Sequence, residues 1–114
     1  MATIYAKGHK RSSFGGTLTN IDDTSNPTPQ NLTDATQAVI IFYHEDGTKV
    51  ELDAEFTDDN ANLADGAEIV YRNSNNNLPS ILNKTGFWEY TVGARFSNGD
   101  YVLSPYHDCF WVVP

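Results

Sequence analysis

The chain has 114 residues, 39% of them hydrophobic and 12% aromatic, which fits one globular domain with its own core and excludes two domains or a disordered chain. Fifteen acidic residues against seven basic ones give a formal net charge of −8, which repels phosphates and argues against nucleic acid partners. The N-terminal residues lack the apolar run of a signal peptide, and no stretch has the length and hydrophobicity of a membrane span, so we expect synthesis in a cytosol and no membrane partner.

Residues 1–20 are predicted to form an N-terminal arm with the first strands, Thr3–Ala6 and Phe14–Thr19. Between these strands His9, Lys10 and Arg11 form a cluster of positive charge that predicts either a solvated turn or a contact with an acidic partner. The next segment, Ile21 to Asp34, has almost no apolar content and predicts a long loop that is suited to contacts. The candidate interface residues in these two segments are His9, Lys10, Arg11, Asp22, Asp23, Pro27 and Pro29.

Residues 21–114 are predicted to form the rest of the same single domain. Ala35 to Tyr43 is apolar on both faces and predicts a central strand, which an Asp-Gly turn at Glu45–Thr48 closes. Lys49–Phe56 alternates strictly between polar and apolar residues, which predicts one face on the core and one in water. Further short strands are predicted at Glu68–Arg72 and Cys109–Val113.

The most strongly patterned stretch is a predicted antiparallel hairpin near the C-terminus. Its strands, Phe87–Phe96 and Tyr101–Leu103, flank Asn98-Gly99, a dipeptide that favours a two-residue type I′ turn. About seven short strands at regular spacing, with no helical stripe, predict an all-β fold, namely a β-sandwich of about seven antiparallel strands.

These features together resemble the immunoglobulin-like domains of tailed-phage virions, particularly the N-terminal domain family of baseplate upper proteins. The residues that carry the resemblance are Asn31–Thr36, Glu45–Thr48, Gly66, Ile69–Tyr71, Leu82, Gly86, Trp88–Tyr90, Asn98-Gly99 and the apolar final strand. The resemblance implies an immunoglobulin-like sandwich without enzymatic activity, made in a host bacterial cytoplasm and carried in the virion. Its partners would be other virion proteins of the tail, neck, baseplate or capsid, in a symmetric multi-copy assembly. Such proteins typically continue into further modules, whereas this sequence ends at Pro114, which favours a decoration, neck or adaptor role.

Catalytic, metal and cofactor sites are not predicted. Asp58, Asn60 and Asn62 have the first spacings of a calcium loop, but Leu63 and Ile69 stand where that loop needs glycine and glutamate, so a polar turn is favoured. His107 and Cys109 share one face of a predicted strand, yet two ligands do not hold zinc. A small buried hydrophobe is the favoured interpretation of Cys109.

The aromatic residues leave one alternative open, a carbohydrate-binding β-sandwich module that recognises a surface glycan. Trp88 and Trp111 would be the ligand-stacking residues if they were exposed in a groove. Burial in the core is the competing interpretation, because each aromatic side chain in a small sandwich buries a large apolar area.

Overall fold

The structure is a computed structural model, and it describes residues 3–7, 13–20, 28–29, 31–57, 63, 68–72 and 83–114. This part of the chain is all-β. Its strands are β1 (Thr3–Ala6), β2 (Ser13–Thr17), β3 (Thr19–Asn20), β4 (Thr28–Pro29), β5 (Ala35–His44), β6 (Lys49–Phe56), β7 (Glu68–Arg72), β8 (Gly86–Phe96), β9 (Tyr101–Leu103) and β10 (Asp108–Val113). Within these ranges there is no helix of the length and hydrophobicity needed to cross a membrane.

One curled sheet contains eight of the strands, in the order β1-β10-β8-β5-β6-β7-β2 with β9 beside β8. Its pairings are antiparallel except at β1, which runs parallel to β10, so the expectation of purely antiparallel strands is wrong at this edge. The short strands β3 and β4 form a separate pair, and β4 falls within the segment that was predicted to be a loop.

The sheet changes direction at the end of β6. Strand β6 pairs with β5 from Lys49 to Ala54 but pairs with β7 only through Glu55 and Phe56. The curl carries β7 and β2 over the inner face of the sheet, where a Cβ added to Gly16 would lie in van der Waals contact with Val92, 3.6 Å away. The described strands therefore enclose one core.

The core is centred on Phe14, which is 1% exposed. Its ring packs edge-on against Phe42 at 5.1 Å and against Tyr90 at 5.3 Å, and it lies 5.4 Å from the ring of Phe110. These residues come from β2, β5, β8 and β10, so aromatic contacts join β2, at one end of the strand order, to β10, next to the other end. Such pairs contribute about 0.5–1.5 kcal/mol each beyond the area that they bury.

Strand β5 is the central strand that its sequence predicts. It pairs with β6 on one side and β8 on the other, and Val39 and Ile41 on its outer face are as fully buried as Ile40 and Phe42 on its inner face. The alternation predicted for Lys49–Phe56 is also confirmed, since exposed and partly buried residues alternate along β6.

Both hairpin turns are three-residue loops rather than two-residue turns. Between β8 and β9, the amide of Gly99 donates to the carbonyl of Phe96 at 3.0 Å, and Phe96 N–H donates to Asp100 O at 2.9 Å. The loop between β5 and β6 repeats this pattern from His44 to Thr48. In each loop the glycine, Gly47 or Gly99, has a φ of +95°, as a type I turn followed by a glycine bulge requires. The predicted type I′ turn at Asn98-Gly99 is therefore corrected by one residue.

A corner centred on His44 ties the β5–β6 turn to the start of β8. Nε2 of the buried His44 donates to the Thr85 carbonyl at 2.9 Å, because a carbonyl oxygen can only accept. Nδ1 lies 3.1 Å from the Asp46 amide and 2.9 Å from the Asp46 carboxylate. The Lys84 ammonium, 2.5 Å from the Asp46 carboxylate, holds the pKa of Asp46 well below its usual range. These bonds position the first residues of β8, next to the surface described below.

Candidate docking surface

The last strand, β10, carries apolar side chains on both of its faces. Phe110 and Val112 point inward and are 1% and 2% exposed, whereas Trp111 and Val113 point outward and are 43% and 39% exposed. A strand that is apolar on both faces is typical of a sheet that is covered on both sides. In the described part of the chain only the inner side of β10 is covered.

Neighbouring strands extend this exposed apolar surface into a row. Ile4 of β1 lies opposite Trp111, and Trp111 lies opposite Phe87 of β8. The rings of Phe87 and Trp111 are in contact, with 5.0 Å between their centroids. Ile4 is 66% exposed. A second pair, Ala6 opposite Val113, lies beside the row.

The outer face of β1 is identified by its neighbouring residue. The ring of Tyr5 packs into the core, 5.7 Å from Phe110 and 6.5 Å from Phe14. Because side chains alternate along a strand, Ile4 and Ala6 point to the opposite, outer side. We refer to Ile4, Ala6, Phe87, Trp111 and Val113 as the outer apolar strip.

The strip ends at the edge of the sheet. Among the described strands β1 pairs only with β10, so the other edge of β1 offers its backbone N–H and C=O groups outward. An edge strand of this kind is a template for pairing with another chain. Apolar side chains and an open backbone edge therefore lie together.

Beyond the strip, the outer face becomes polar and aromatic. The Tyr43 and His107 rings stack with 5.6 Å between centroids and 5° between planes, and His107 Nδ1 lies 3.2 Å from the Glu89 carboxylate. The connection from β9 to β10 is held against β8 here, because Thr91 Oγ1 lies 2.8 Å from the carbonyl of Ser104. His107 lies on this connection, which is therefore held where the His107 ring contacts Glu89 and Tyr43.

The far end of this face carries a cluster of Arg95, Tyr101 and Glu51. The Arg95 guanidinium lies over the Tyr101 ring at 3.9 Å and 3.3 Å from the Glu51 carboxylate, which also accepts a hydrogen bond from the Tyr101 hydroxyl. Burial and that hydrogen bond raise the pKa of Tyr101 to about 12, and the same bond lowers the pKa of Glu51.

Tyr101 is therefore expected to ionise above the ordinary pKa of a tyrosine, in a spectrophotometric titration of tyrosinate absorbance. Its midpoint should lie near pH 12, and Glu51→Gln should move it toward the ordinary value of about 10 by removing the carboxylate that accepts a hydrogen bond from the Tyr101 hydroxyl. Because the folded-state pKa is raised, the stability that this bond contributes is present below pH 10 and is lost as the pH rises through 12. An unchanged midpoint in the Glu51→Gln variant would contradict the assigned hydrogen bond.

Among the described residues, two cavities differ in their lining, which is mainly polar in the larger and equally polar and apolar in the smaller. The larger, about 280 Å³, lies beside the β8–β9 turn, where the Asn98 side chain bonds to both the carboxylate and the amide of Asp100 at 3.0 Å. The smaller, about 120 Å³, lies between β2, β8 and the connection that leads into β10. No group of three or more His, Cys, Asp or Glu residues suited to hold a metal occurs in the described ranges.

The candidate residues from the sequence have different outcomes. Pro29 lies in β4 opposite Thr19. Trp88 is 1% exposed and its ring stacks over Phe110, so the condition set for it as a ligand-stacking residue is not met, whereas Trp111 is exposed. The remaining interface candidates lie outside the described residues: His9, Lys10, Arg11, Asp22, Asp23 and Pro27. The residues with calcium-loop spacing, Asp58, Asn60 and Asn62, also lie outside them.

Ile4, Phe87 and Val113 were not singled out as site residues from the sequence. One signal was available in Cys109–Val113, which lacks the polar alternate residues of a strand with a solvent face. The row itself could not be read from the sequence, because it depends on the parallel pairing of β1 with β10.

Fold and surface together define an all-β domain with an exposed apolar strip at a sheet edge that no other described strand covers. Comparisons with protein-family models, curated proteins and solved structures found no match for this chain.

Proposed function

We propose that this chain is a non-enzymatic structural module of a phage particle, an immunoglobulin-like β-sandwich that docks onto other virion proteins of the tail, neck, baseplate or capsid. The observation that carries the docking function is the exposure of Trp111 within the outer apolar strip. Contiguous exposed apolar surface on a small domain is typical of a protein interaction site.

The strand order supports the immunoglobulin-like part of this proposal. In immunoglobulin domains the third, sixth and seventh strands form one sheet, and the second and fifth strands pair in the other. Here β5, β8 and β10 are adjacent in that manner, and β2 pairs with β7. The change of direction at β6 and the packing of Phe14 against Tyr90 and Phe110 support two facing layers.

The virion part of the proposal rests on the sequence resemblance. Structural docking is favoured over catalysis because the most distinctive exposed groups are apolar. By contrast, Asn31 and Asn98, which line the larger cavity, use their side-chain oxygens to accept the backbone N–H groups of Thr33 and Asp100. Such bonds are those of polar residues that stabilise their own turns.

Quantitative mass spectrometry of purified particles tests the proposal, by measuring copies of this chain relative to the major capsid protein. A copy number on the order of hundreds would identify a capsid decoration protein. A small copy number that is a multiple of the subunit number of a symmetric ring would place it at the tail, neck or baseplate. Absence of the chain from purified particles would refute the virion role.

A second candidate function is glycan binding, which the exposure of Trp111 beside the Phe87 ring favours. An exposed aromatic face can stack on a sugar ring, and Trp88 is too deeply buried to take part. We would screen the purified protein on a glycan array and titrate any hit by calorimetry. Binding that Trp111→Ala abolishes without unfolding would support this function, and a wild-type protein that binds no glycan would refute it.

A further inference from the structure

We infer that the outer apolar strip is where a second copy of this chain packs face to face across a twofold axis, with Trp111 at the centre of the contact. This inference rests on the proposed function and names its partner, because a structural module repeated in a particle has copies of itself as neighbours. A twofold contact uses the same patch on both subunits, so no second surface is required.

The distribution of charge favours a second copy. The chain carries a formal charge of −8, and like charges repel when two copies approach. Thr3–Lys7 and Cys109–Val113, the two segments that supply most of the strip, contain no carboxylate, and Lys7 is their one charged residue. Two copies can therefore meet at this patch without placing carboxylates from these segments against each other.

Two outer-face carboxylates of the sheet lie well away from β10. Glu51 and Asp53 are on β6, which is separated from β10 by β8 and β5. At about 4.8 Å per strand, three strand spacings place these groups about 14 Å from β10, farther than the Debye length of about 8 Å at physiological salt. Glu89 is nearer, and His107 lies against it with 3.2 Å between Nδ1 and the carboxylate.

The chemistry of the strip also fits packing against its own copy. Ile4, Trp111 and Val113 are each more than one third exposed, and Trp111 is flanked by Ile4 on one side and Phe87 on the other. A large aromatic side chain surrounded by smaller apolar groups is the usual composition of an interface centre. Because the patch is small, we expect a weak dimer.

Sedimentation velocity of the full chain between 10 μM and 1 mM, with protein concentration as the only variable, tests this inference. The expected result is a concentration-dependent dimer whose Kd rises by about thirty-fold or more in Trp111→Lys, as for an aromatic residue at an interface centre. The matched control is Tyr106→Lys, because Tyr106 is an aromatic residue that is 61% exposed and lies outside the strip. This control should dimerise like the wild type.

Folding of each variant is verified by near-ultraviolet circular dichroism. If Trp111→Lys fails to fold, Ile4→Lys replaces it, because Ile4 is 66% exposed on the edge strand. The inference is overturned by a wild-type protein that stays monomeric at 1 mM, by a folded strip variant that dimerises normally, or by a Tyr106→Lys variant that loses the dimer equally. A monomeric protein that is nevertheless found in purified particles would overturn this inference and leave the proposed function standing.

Discussion

Replacing Trp88 with alanine is expected to lower the free energy of unfolding by about 3–5 kcal/mol, the cost of removing a large aromatic side chain from a packed core. Trp88 is 1% exposed, its ring stacks over Phe110, and its edge meets His44 with 4.7 Å between centroids. Its indole N–H also donates to the Lys84 carbonyl at 3.0 Å, so the substitution removes one bond of the corner that leads into β8. Urea unfolding, with the midpoint and slope both fitted, measures the loss.

The matched control is Trp111→Ala, which makes the same change on the opposite face of the sheet. Trp111 is 43% exposed, so its truncation should cost no more than about 1 kcal/mol. Equal losses of unfolding free energy in the two variants would contradict the assignment of Trp88 to the core and of Trp111 to the surface. Unequal losses would also establish Trp111 as a position that can be changed in binding experiments without unfolding the protein.

Replacing Gly86 with alanine is expected to cost about 2–6 kcal/mol, for two separate reasons. Gly86 has a φ of +126°, which side-chain-bearing residues rarely adopt and which costs them on the order of 1–3 kcal/mol. An added Cβ would also lie 2.6 Å from Nε2 of His44, whose hydrogen bond to Thr85 holds the ring in place. Overpacking of this kind adds about 1–3 kcal/mol. Thermal unfolding monitored by circular dichroism would report the loss as a lower Tm.

Gly47→Ala separates the two causes. Gly47 also has a positive φ, +95°, but a Cβ added there would meet nothing within 4 Å. This variant should therefore show the backbone strain alone, about 1–2 kcal/mol. If Gly86→Ala cost no more than Gly47→Ala, the close approach of Gly86 to His44 would not contribute to stability.

Much of the central sheet could be predicted from local pattern. Strands β5, β6 and β8 are long, and β5 was recognised as a continuous apolar run. Strand β6 has a clear two-residue periodicity, because the pleat alternates side chains between two faces whatever the rest of the fold does. Both turns were located correctly, but the turn at Asn98-Gly99 was given the wrong length. Asp-Gly and Asn-Gly suit two-residue and three-residue loops alike, and the hydrogen bonds across the strand ends select between them.

The candidate site was harder to predict, because its rows of side chains run across strands rather than along them. Thr3 pairs with Phe110, near the other end of the chain, and this pairing places Ile4 beside Trp111. The sequence singled out Trp111 together with Trp88 but could not distinguish their exposures. Both are tryptophans in apolar strands, and only the position of each face relative to the core separates them.

The amino-acid sequence alone was sufficient for the all-β class, the main strands, and the two sets of side chains that alternate along each strand. These are local properties, since they follow from backbone geometry within a few residues. The tertiary structure was needed to establish the parallel pairing of β1 with β10, the curl at β6, and which face of β10 is left uncovered. Those features depend on contacts between residues far apart in the chain, and their free energies arise only when the strands meet.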